Sequence, residues 1–318
     1  MFHFDSGLKL TAADLAVDFR RRQPRGFISH AHSDHMARHE LALCTPATAA
    51  LYHLRCGVRP VMALPYRQTV EWGGLRLTTF PAGHCLGSAM LLADNGQQTL
   101  LYTGDFKLGP SATSEPAELP RADILVMEST FGDPRYRLPP RDEAIGQLID
   151  LVRRTLADKQ TPVIEAYALG KSQEVTRILT DAGIAVLQHA EVHRVSQVYE
   201  QQGMPLGNVM RLAANLVPGR AVVVPPGRRY KHMAGVRRPV RIAVTGWAHD
   251  PAAKYRLGVD HAVPLSDHAD YDDLMATVEQ VNPREVHCTH GPPSFVDRLL
   301  DAGWNAFVLG RPRQERLF

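Results

Sequence analysis

The stretch Gly26-Phe27-Ile28-Ser29-His30-Ala31-His32-Ser33-Asp34-His35 decides how the chain is read. Its apolar start reads as a short strand ending at Ser29, and because side chains alternate along extended backbone, His30 and His32 point to one side. Two imidazoles so placed can hold one metal. After Ser33 the run Asp34-His35-Met36-Ala37-Arg38-His39-Glu40 reads as a turn into a helix, which aims Asp34 and His35 elsewhere and suits a second ion beside the first. Neutral imidazole and carboxylate are the donors for zinc, manganese or iron at hydrolytic sites, where positions stay open for water and substrate. The plain alternative is a surface histidine cluster. Alternating histidines, an Asp-His step and a preceding apolar run are together far more specific than a lone histidine pair.

Working outward, 318 residues allow about two domains and a substantial core, and 44% apolar with 22% charged residues is ordinary globular composition. A net charge of +3 leaves a nucleic-acid partner to be argued from local clusters. Cys44, Cys56, Cys85 and Cys288 show neither paired metal spacing nor a disulfide framework, so a reducing cytoplasm is expected. The start Met1-Phe2-His3-Phe4-Asp5 lacks an export signal and no later stretch is long and apolar enough to span a membrane, which disfavours secreted hydrolases.

Before the histidine stretch, Leu15-Ala16-Val17-Asp18-Phe19 reads as a strand, with Asp18 placed to hydrogen-bond the second nitrogen of a metal-bound histidine. Beyond it, Glu71-Trp72-Gly73-Gly74-Leu75 and Leu92-Ala93-Asp94-Asn95-Gly96 signal hairpins in a β-rich half. His84 and Asp105 each sit beside glycine at a strand end, supplying a third imidazole and a carboxylate able to bridge two ions. The strand Asp123-Ile124-Leu125-Val126-Met127 then delivers Glu128.

From Arg141 to Ala182 the pattern is helix, strand, helix, continuing through Ala185-Val186-Leu187 and Ala221-Val222-Val223-Val224 as βα units on a parallel sheet. A second domain inserted in the first follows. Inside it the turn Tyr167-Ala168-Leu169-Gly170-Lys171-Ser172 offers backbone N–H groups, a helix dipole and the Lys171 ammonium to a phosphate. Arg228, Arg229, Lys231, His232, Arg237, Arg238 and Arg241 crowd one short segment, as backbone contacts along a nucleic-acid strand require. Two further signals close the chain: Ser266-Asp267-His268-Ala269-Asp270 opening a helix, and the strand Val286-His287-Cys288-Thr289 ending at His290.

The histidine stretch, His84, Asp105, Glu128, His268 and His290 together resemble the metallo-β-lactamase fold in its β-CASP nuclease branch, across nearly the whole chain. Ala16-Val17-Asp18-Phe19, Tyr102-Thr103-Gly104-Asp105-Phe106, Ala168-Leu169-Gly170-Lys171 and Thr245-Gly246-Trp247 look like the DNA cross-link-repair and Artemis-type nucleases, and the whole looks most like bacterial DNA-ligase-associated exonucleases. The resemblance implies an αββα metallo-β-lactamase sandwich (residues 1–135 and 243–318) interrupted by an α/β β-CASP cap (136–242), with the substrate strand in the groove between.

It further implies one divalent ion on His30, His32, His84 and Asp105 and another on Asp34, His35, Asp105 and His290, zinc before manganese or iron. Asp34, Asp18, Glu128 and His268 fall to the catalytic machinery, with Asp18 orienting a ligand and His268 as proton donor hydrogen-bonded to Glu128. Gly170, Lys171 and Ser172 fall where such relatives bind a terminal 5′ phosphate, while Arg228, Arg229 and Lys231 are assigned to the nucleic acid by their charge clustering alone. Two ions about 3.5–4 Å apart activate a water for in-line displacement. The implied activity is a metal-dependent DNA 5′ exonuclease of repair, acting on single-stranded or 5′-phosphorylated DNA beside a ligase or helicase. Its alternatives are a β-CASP ribonuclease, favoured by the histidine at position 290, and more remotely a small-molecule metallohydrolase.

Overall fold

The computed structural model describes residues 1–5, 7–213, 218–227, 236 and 238–310. They form two compact units: residues 1–110, 114–137 and 268–310 of the first, and 111–113 with the described part of 138–267 in the second.

The first unit is built on two sheets. One has the order β1 (Phe2–Phe4), β2 (Leu8–Leu10), β3 (Leu15–Val17), β4 (Arg25–Phe27), β5 (Leu41–Cys44), β6 (Val61–Ala63), antiparallel as far as β3 and parallel beyond it. The other runs β19 (Ala306–Val308), β18 (Glu285–Thr289), β11 (Ile124–Glu128), β10 (Thr99–Tyr102), β9 (Ala89–Asp94), β8 (Leu75–Pro81), β7 (Thr69–Trp72). Both hairpins fall where the sequence puts them; Gly73 and Gly74, both at positive φ, close the β7–β8 turn. Alternation does the sorting. Leu10, Leu15, Phe27 and Leu43 of the first sheet meet Leu77, Leu91, Leu100 and Val126 of the second in one dry core.

The other face of the second sheet packs Leu101, Leu125 and Val286 on α6 (Tyr271–Val281) and α7 (Ser294–Asp301). Helix α6 begins because Asp270 accepts from the Asp273 N–H at 3.0 Å, and it ends at Asn282 in the left-handed region. With α1 (Pro46–Cys56) packed against β6, the layers are those of an αββα sandwich.

The second unit is a parallel sheet in the order β14 (Val209–Arg211), β13 (Val186–Gln188), β15 (Ala221–Val224), β12 (Thr161–Glu165), β16 (Pro239–Val244), β17 (His261–Val263). Its core joins Leu148 and Val152 of α2 (Arg141–Ala157) and Val175 and Leu179 of α3 (Lys171–Asp181) to Ile164, Val223 and Ile242. Helix α4 (Ala190–Gln201) and α5 (Ala253–Leu257) complete the α/β cap.

Three expectations change. The cap does not end at residue 242: β16 pairs with β12 through Ala243, β17 extends the same sheet, and the compact unit runs to Asp267. The strand before the histidines ends at Phe27, not Ser29. Residues 34–40 form no helix. The carbonyl of Ala37 accepts from the Tyr52 hydroxyl at 2.8 Å and the His39 ring from the Gln23 N–H at 3.1 Å, contacts that tie this segment down as a loop.

Candidate metal centre

The backbone leaves the sheet under control. Ile28 still donates to Leu43 at 2.9 Å, the Ser29 N–H is held by Asp18 Oδ1 at 2.8 Å, and the Ser29 carbonyl accepts from Ala89 at 2.9 Å. Past that clamp the chain turns, His35 N–H to His32 carbonyl at 3.2 Å, and gathers three histidines within six residues. Asp105 is brought to them by Gly104 at φ 56°, where a Cβ would stand 2.7 Å from the Ser29 side chain. Only glycine permits that approach. His84 enters from the loop between β8 and β9, its N–H donating to Ser88 Oγ at 3.2 Å.

The result is a convergence of lone pairs. His30 Nε2 lies 3.0 Å from His32 Nδ1, His84 Nε2 3.1 Å from the same atom, and Asp105 Oδ2 3.6 Å and 4.0 Å from the His30 and His84 nitrogens. Ligands at the zinc distance of about 2.0–2.1 Å in a tetrahedron lie about 3.3 Å apart, so this group fits one such ion. The tautomers agree. Ser29 Oγ donates to Asp18 Oδ2 at 2.5 Å and therefore accepts from His30 Nδ1 at 3.0 Å, which turns the unprotonated Nε2 of His30 to the centre.

A second group shares the carboxylate. His35 Nε2 lies 3.2 Å from Asp105 Oδ2, His290 Nδ1 3.8 Å from Oδ1, and Asp34 Oδ2 3.8 Å from His35 Nε2. Asp18 again sets the orientation: Oδ2 accepts from His35 Nδ1 at 2.8 Å and from the Tyr102 hydroxyl at 2.8 Å. His290 stands at φ 58° after β18, and Gly291 lies so close to Ser129 that a Cβ there would meet its carbonyl oxygen at 1.9 Å. Asp34 is the most open of these donors, its side chain 52% exposed beside Arg20.

Charges at the centre are strongly coupled. Burial, then the neighbouring His35, His32 and His84, hold His30 well below its usual range against the pull of Asp105. Burial would also lower His35, but the charge and hydrogen bond of Asp105, with those of Asp18, outweigh it and hold this imidazole well above its usual range. For Asp105 burial acts upward, and His35, His290 and His268 overcome it and keep the carboxylate ionised well below the usual range. A buried carboxylate with histidines on both sides is the donor set of a divalent-metal hydrolase.

Beside it sits an acid–base pair. Glu128, buried at the end of β11, accepts from the Phe106 N–H at 3.0 Å and the Thr130 N–H at 3.3 Å, and its Oε1 lies 2.8 Å from His268 Nδ1, placed to accept from it. The ring of His268 packs 4.7 Å from that of His84, and Asp105, Glu128 and His268 have donor atoms within 4.8 Å of one another.

The structure thus gathers His30, His32, His35, His84 and His290 around Asp105 and leaves Asp34 at the edge, 3.8 Å from His35, and it adds Ser29 and Tyr102, which the sequence reading missed. Their signal was adjacency alone: Ser29 precedes His30, and Tyr102 ends the strand before Asp105. The 170–172 turn is a correction. The Lys171 side chain is 1% exposed, its ammonium 3.0 Å from Glu174 and 3.8 Å from Asp267, because Glu174 also binds Arg141 and Ser111 in a buried network that takes in the cation. Ser172 Oγ donates to the Ala166 carbonyl at 3.0 Å, and the Gly170 N–H to Gln173 at 2.9 Å. Arg228, Arg229, Lys231, His232 and Arg237 lie outside the described residues.

Residues 256–309 match a family described as Zn-dependent metallo-hydrolase RNA specificity domain. The chain is 39% identical to a probable DNA ligase of Opitutus terrae, over 99% of this chain and 31% of that protein. It is 27% identical to the 5′ exonuclease Apollo of Gallus gallus, over 88% of this chain and 63% of that protein. Similarity to the transcription termination factor FttA of Pyrococcus abyssi is higher, 43%, but covers 34% of this chain and 17% of that protein. The chain therefore spans less than two thirds of each of these relatives. Two donor groups sharing one carboxylate, on an αββα sandwich interrupted by an α/β insert, fit the metallo-β-lactamase fold in its β-CASP branch, and the similarity to these relatives is consistent with that branch.

Proposed function

We propose that the protein is a metal-dependent DNA nuclease that hydrolyses phosphodiester bonds from a 5′ end. The observation that carries this reading is Asp105, with one oxygen toward His30, His84 and His35 and the other toward His290. His30, His32, His84 and Asp105 would hold one ion, and His35, Asp105, His290 and Asp34 the second, both zinc. Ions bound there supply Lewis acidity toward a phosphoryl oxygen and a lowered pKa for a water nucleophile. Asp18 is the positioning residue for His35 directly and for His30 through Ser29. His268 gives its Nε2 proton to the leaving oxygen, and Glu128, accepting from Nδ1, stabilises the imidazolium beforehand; solvent returns a proton to Nε2 afterward.

DNA rather than RNA is supported by the Apollo relative, which is named a 5′ exonuclease, and by the ligase-named relative, in which a segment like this whole chain makes up 31% of the length. An end-processing step beside a DNA ligase or helicase, on single-stranded or 5′-phosphorylated DNA, follows from the same pair. Four free cysteines accord with a reducing cytoplasm, and no helix among the described residues is long and apolar enough to cross a membrane. The second reading is a ribonuclease, for which His290 and the RNA-specificity description of the matching family speak.

The deciding assay incubates zinc-loaded protein with 3′-labelled single-stranded DNA and its RNA counterpart, each with a 5′ phosphate or a 5′ hydroxyl. Stepwise shortening of the DNA is expected. Preferential cutting of RNA, or internal cuts indifferent to the 5′ end, would overturn the DNA 5′ exonuclease assignment.

A further inference from the structure

The donors of the metal centre are divided between the two sheets of the first unit. His30, His32, Asp34 and His35 follow β4 of one sheet, whereas His84 lies between β8 and β9, Asp105 follows β10 and His290 follows β18 of the other. Each proposed ion therefore draws two donors from either side: His30 and His32 with His84 and Asp105, and Asp34 and His35 with Asp105 and His290. Neither sheet completes a site alone. Affinity then depends on how firmly surrounding groups hold the two sheet ends at the right spacing.

Asp18 is where that hold is made. It follows β3 of the first sheet at φ 50°, a left-handed backbone that a residue with a side chain keeps only where its surroundings over-determine it. Its N–H donates to the Phe27 carbonyl at 3.0 Å. Its carboxylate, nearly buried, takes four donors: the Ser29 N–H at 2.8 Å on Oδ1, and Ser29 Oγ at 2.5 Å, His35 Nδ1 at 2.8 Å and the Tyr102 hydroxyl at 2.8 Å on Oδ2. Three of these donors lie on the histidine segment of the same sheet. The fourth crosses from the other. Tyr102 is the last residue of β10, three positions before Asp105, and its ring is buried in the core between the sheets. Burial, then the charge of Asp18, holds its hydroxyl well above the usual phenol range, so it remains a donor. The bond from the Ala89 N–H to the Ser29 carbonyl at 2.9 Å ties the same two sheets through backbone.

We infer that the Tyr102 hydroxyl is a positioning group which, through Asp18, holds the donors of one sheet at metal-binding distance from those of the other. This rests on the metal-dependent reading above and adds to it a residue that belongs to neither donor group. Because Asp18 reaches His35 directly and His30 through Ser29, loss of the hydroxyl acts on both ions.

The test is zinc titration of the chelator-treated full chain in competition with a chromophoric chelator, with the unfolding midpoint of the metal-free form measured in parallel. Tyr102→Phe removes one oxygen, keeps the ring in the core and leaves Asp18 three donors, so the chain should fold and bind both ions about tenfold more weakly. Leu100→Val, an apolar change at a buried position of the same strand, should lower the midpoint and leave zinc affinity at the wild-type value. An equal loss of affinity in Leu100→Val overturns the inference, because the effect would then be one of general stability. Weakening of one ion with the other unchanged overturns it too. If wild type takes up two ions and Tyr102→Phe takes them up as tightly, Tyr102 alone loses its role; if wild type binds no zinc, the metal-dependent reading falls with it.

Discussion

Asp105 and His268 make opposite predictions at one site. Asp105 lies between both donor groups, so Asp105→Ala should lose bound metal and turnover together, by metal analysis of the purified variant and by cleavage assay. His268 is tied to Glu128 and belongs to neither group, so His268→Ala should keep its metal and lose roughly a hundred- to ten-thousandfold in rate. Wild-type cleavage by His268→Ala would end its role as proton donor. The donors were legible because chemistry restricts them: few residue types bind divalent ions, and four of them fall within six positions here. Lys171 was misread for the complementary reason. A lysine opening a helix near glycine looks the same in sequence whether it faces solvent or Glu174, and the partners that decide the matter, Arg141 and Asp267, lie 30 and 96 positions away.

Among the elements, strands with period-two burial and helices with an apolar face were readable, and the hairpins at 73–74 and 95–96 lie where glycine and asparagine announced them. Residues 34–40 were not, since Met36, Ala37 and His39 carry helical composition while their backbone and rings are committed to Tyr52 and Gln23. The boundary at 242 failed similarly: β16 reads as a strand in either unit, and only its pairing with β12 assigns it. The turn from β10 into Asp105 gives an element-level prediction. Gly104→Ala would force a side chain into φ 56° and against Ser29, the residue that relays Asp18 to His30. Strain of this kind costs about 1–3 kcal/mol. Thermal unfolding should show a lower midpoint and titration a weaker zinc affinity; a variant with wild-type values for both would show that Ser29 can move aside freely.

For the molecule as a whole, folding, protonation and metal binding are one linked equilibrium. In the metal-free protein His35 is held above its ordinary value of 6.5 by Asp105 and Asp18. A group whose folded-state pKa is raised contributes stability that is complete below its unfolded pKa and is lost as pH rises through the folded one. The metal-free chain should therefore lose stability as pH climbs from about neutrality, where the bond between His35 and Asp105 gives up its proton. Metal acts in the other direction, because the ion needs the neutral imidazole and must displace that proton, so affinity grows over the same interval. The gap between the unfolding temperatures of zinc-loaded and chelator-treated protein should accordingly widen from pH 6.5 upward. Scanning calorimetry of both forms across that range measures it directly. A gap that is constant or narrows would mean that His35 is not protonated in the metal-free state and that Asp105 is balanced by another cation.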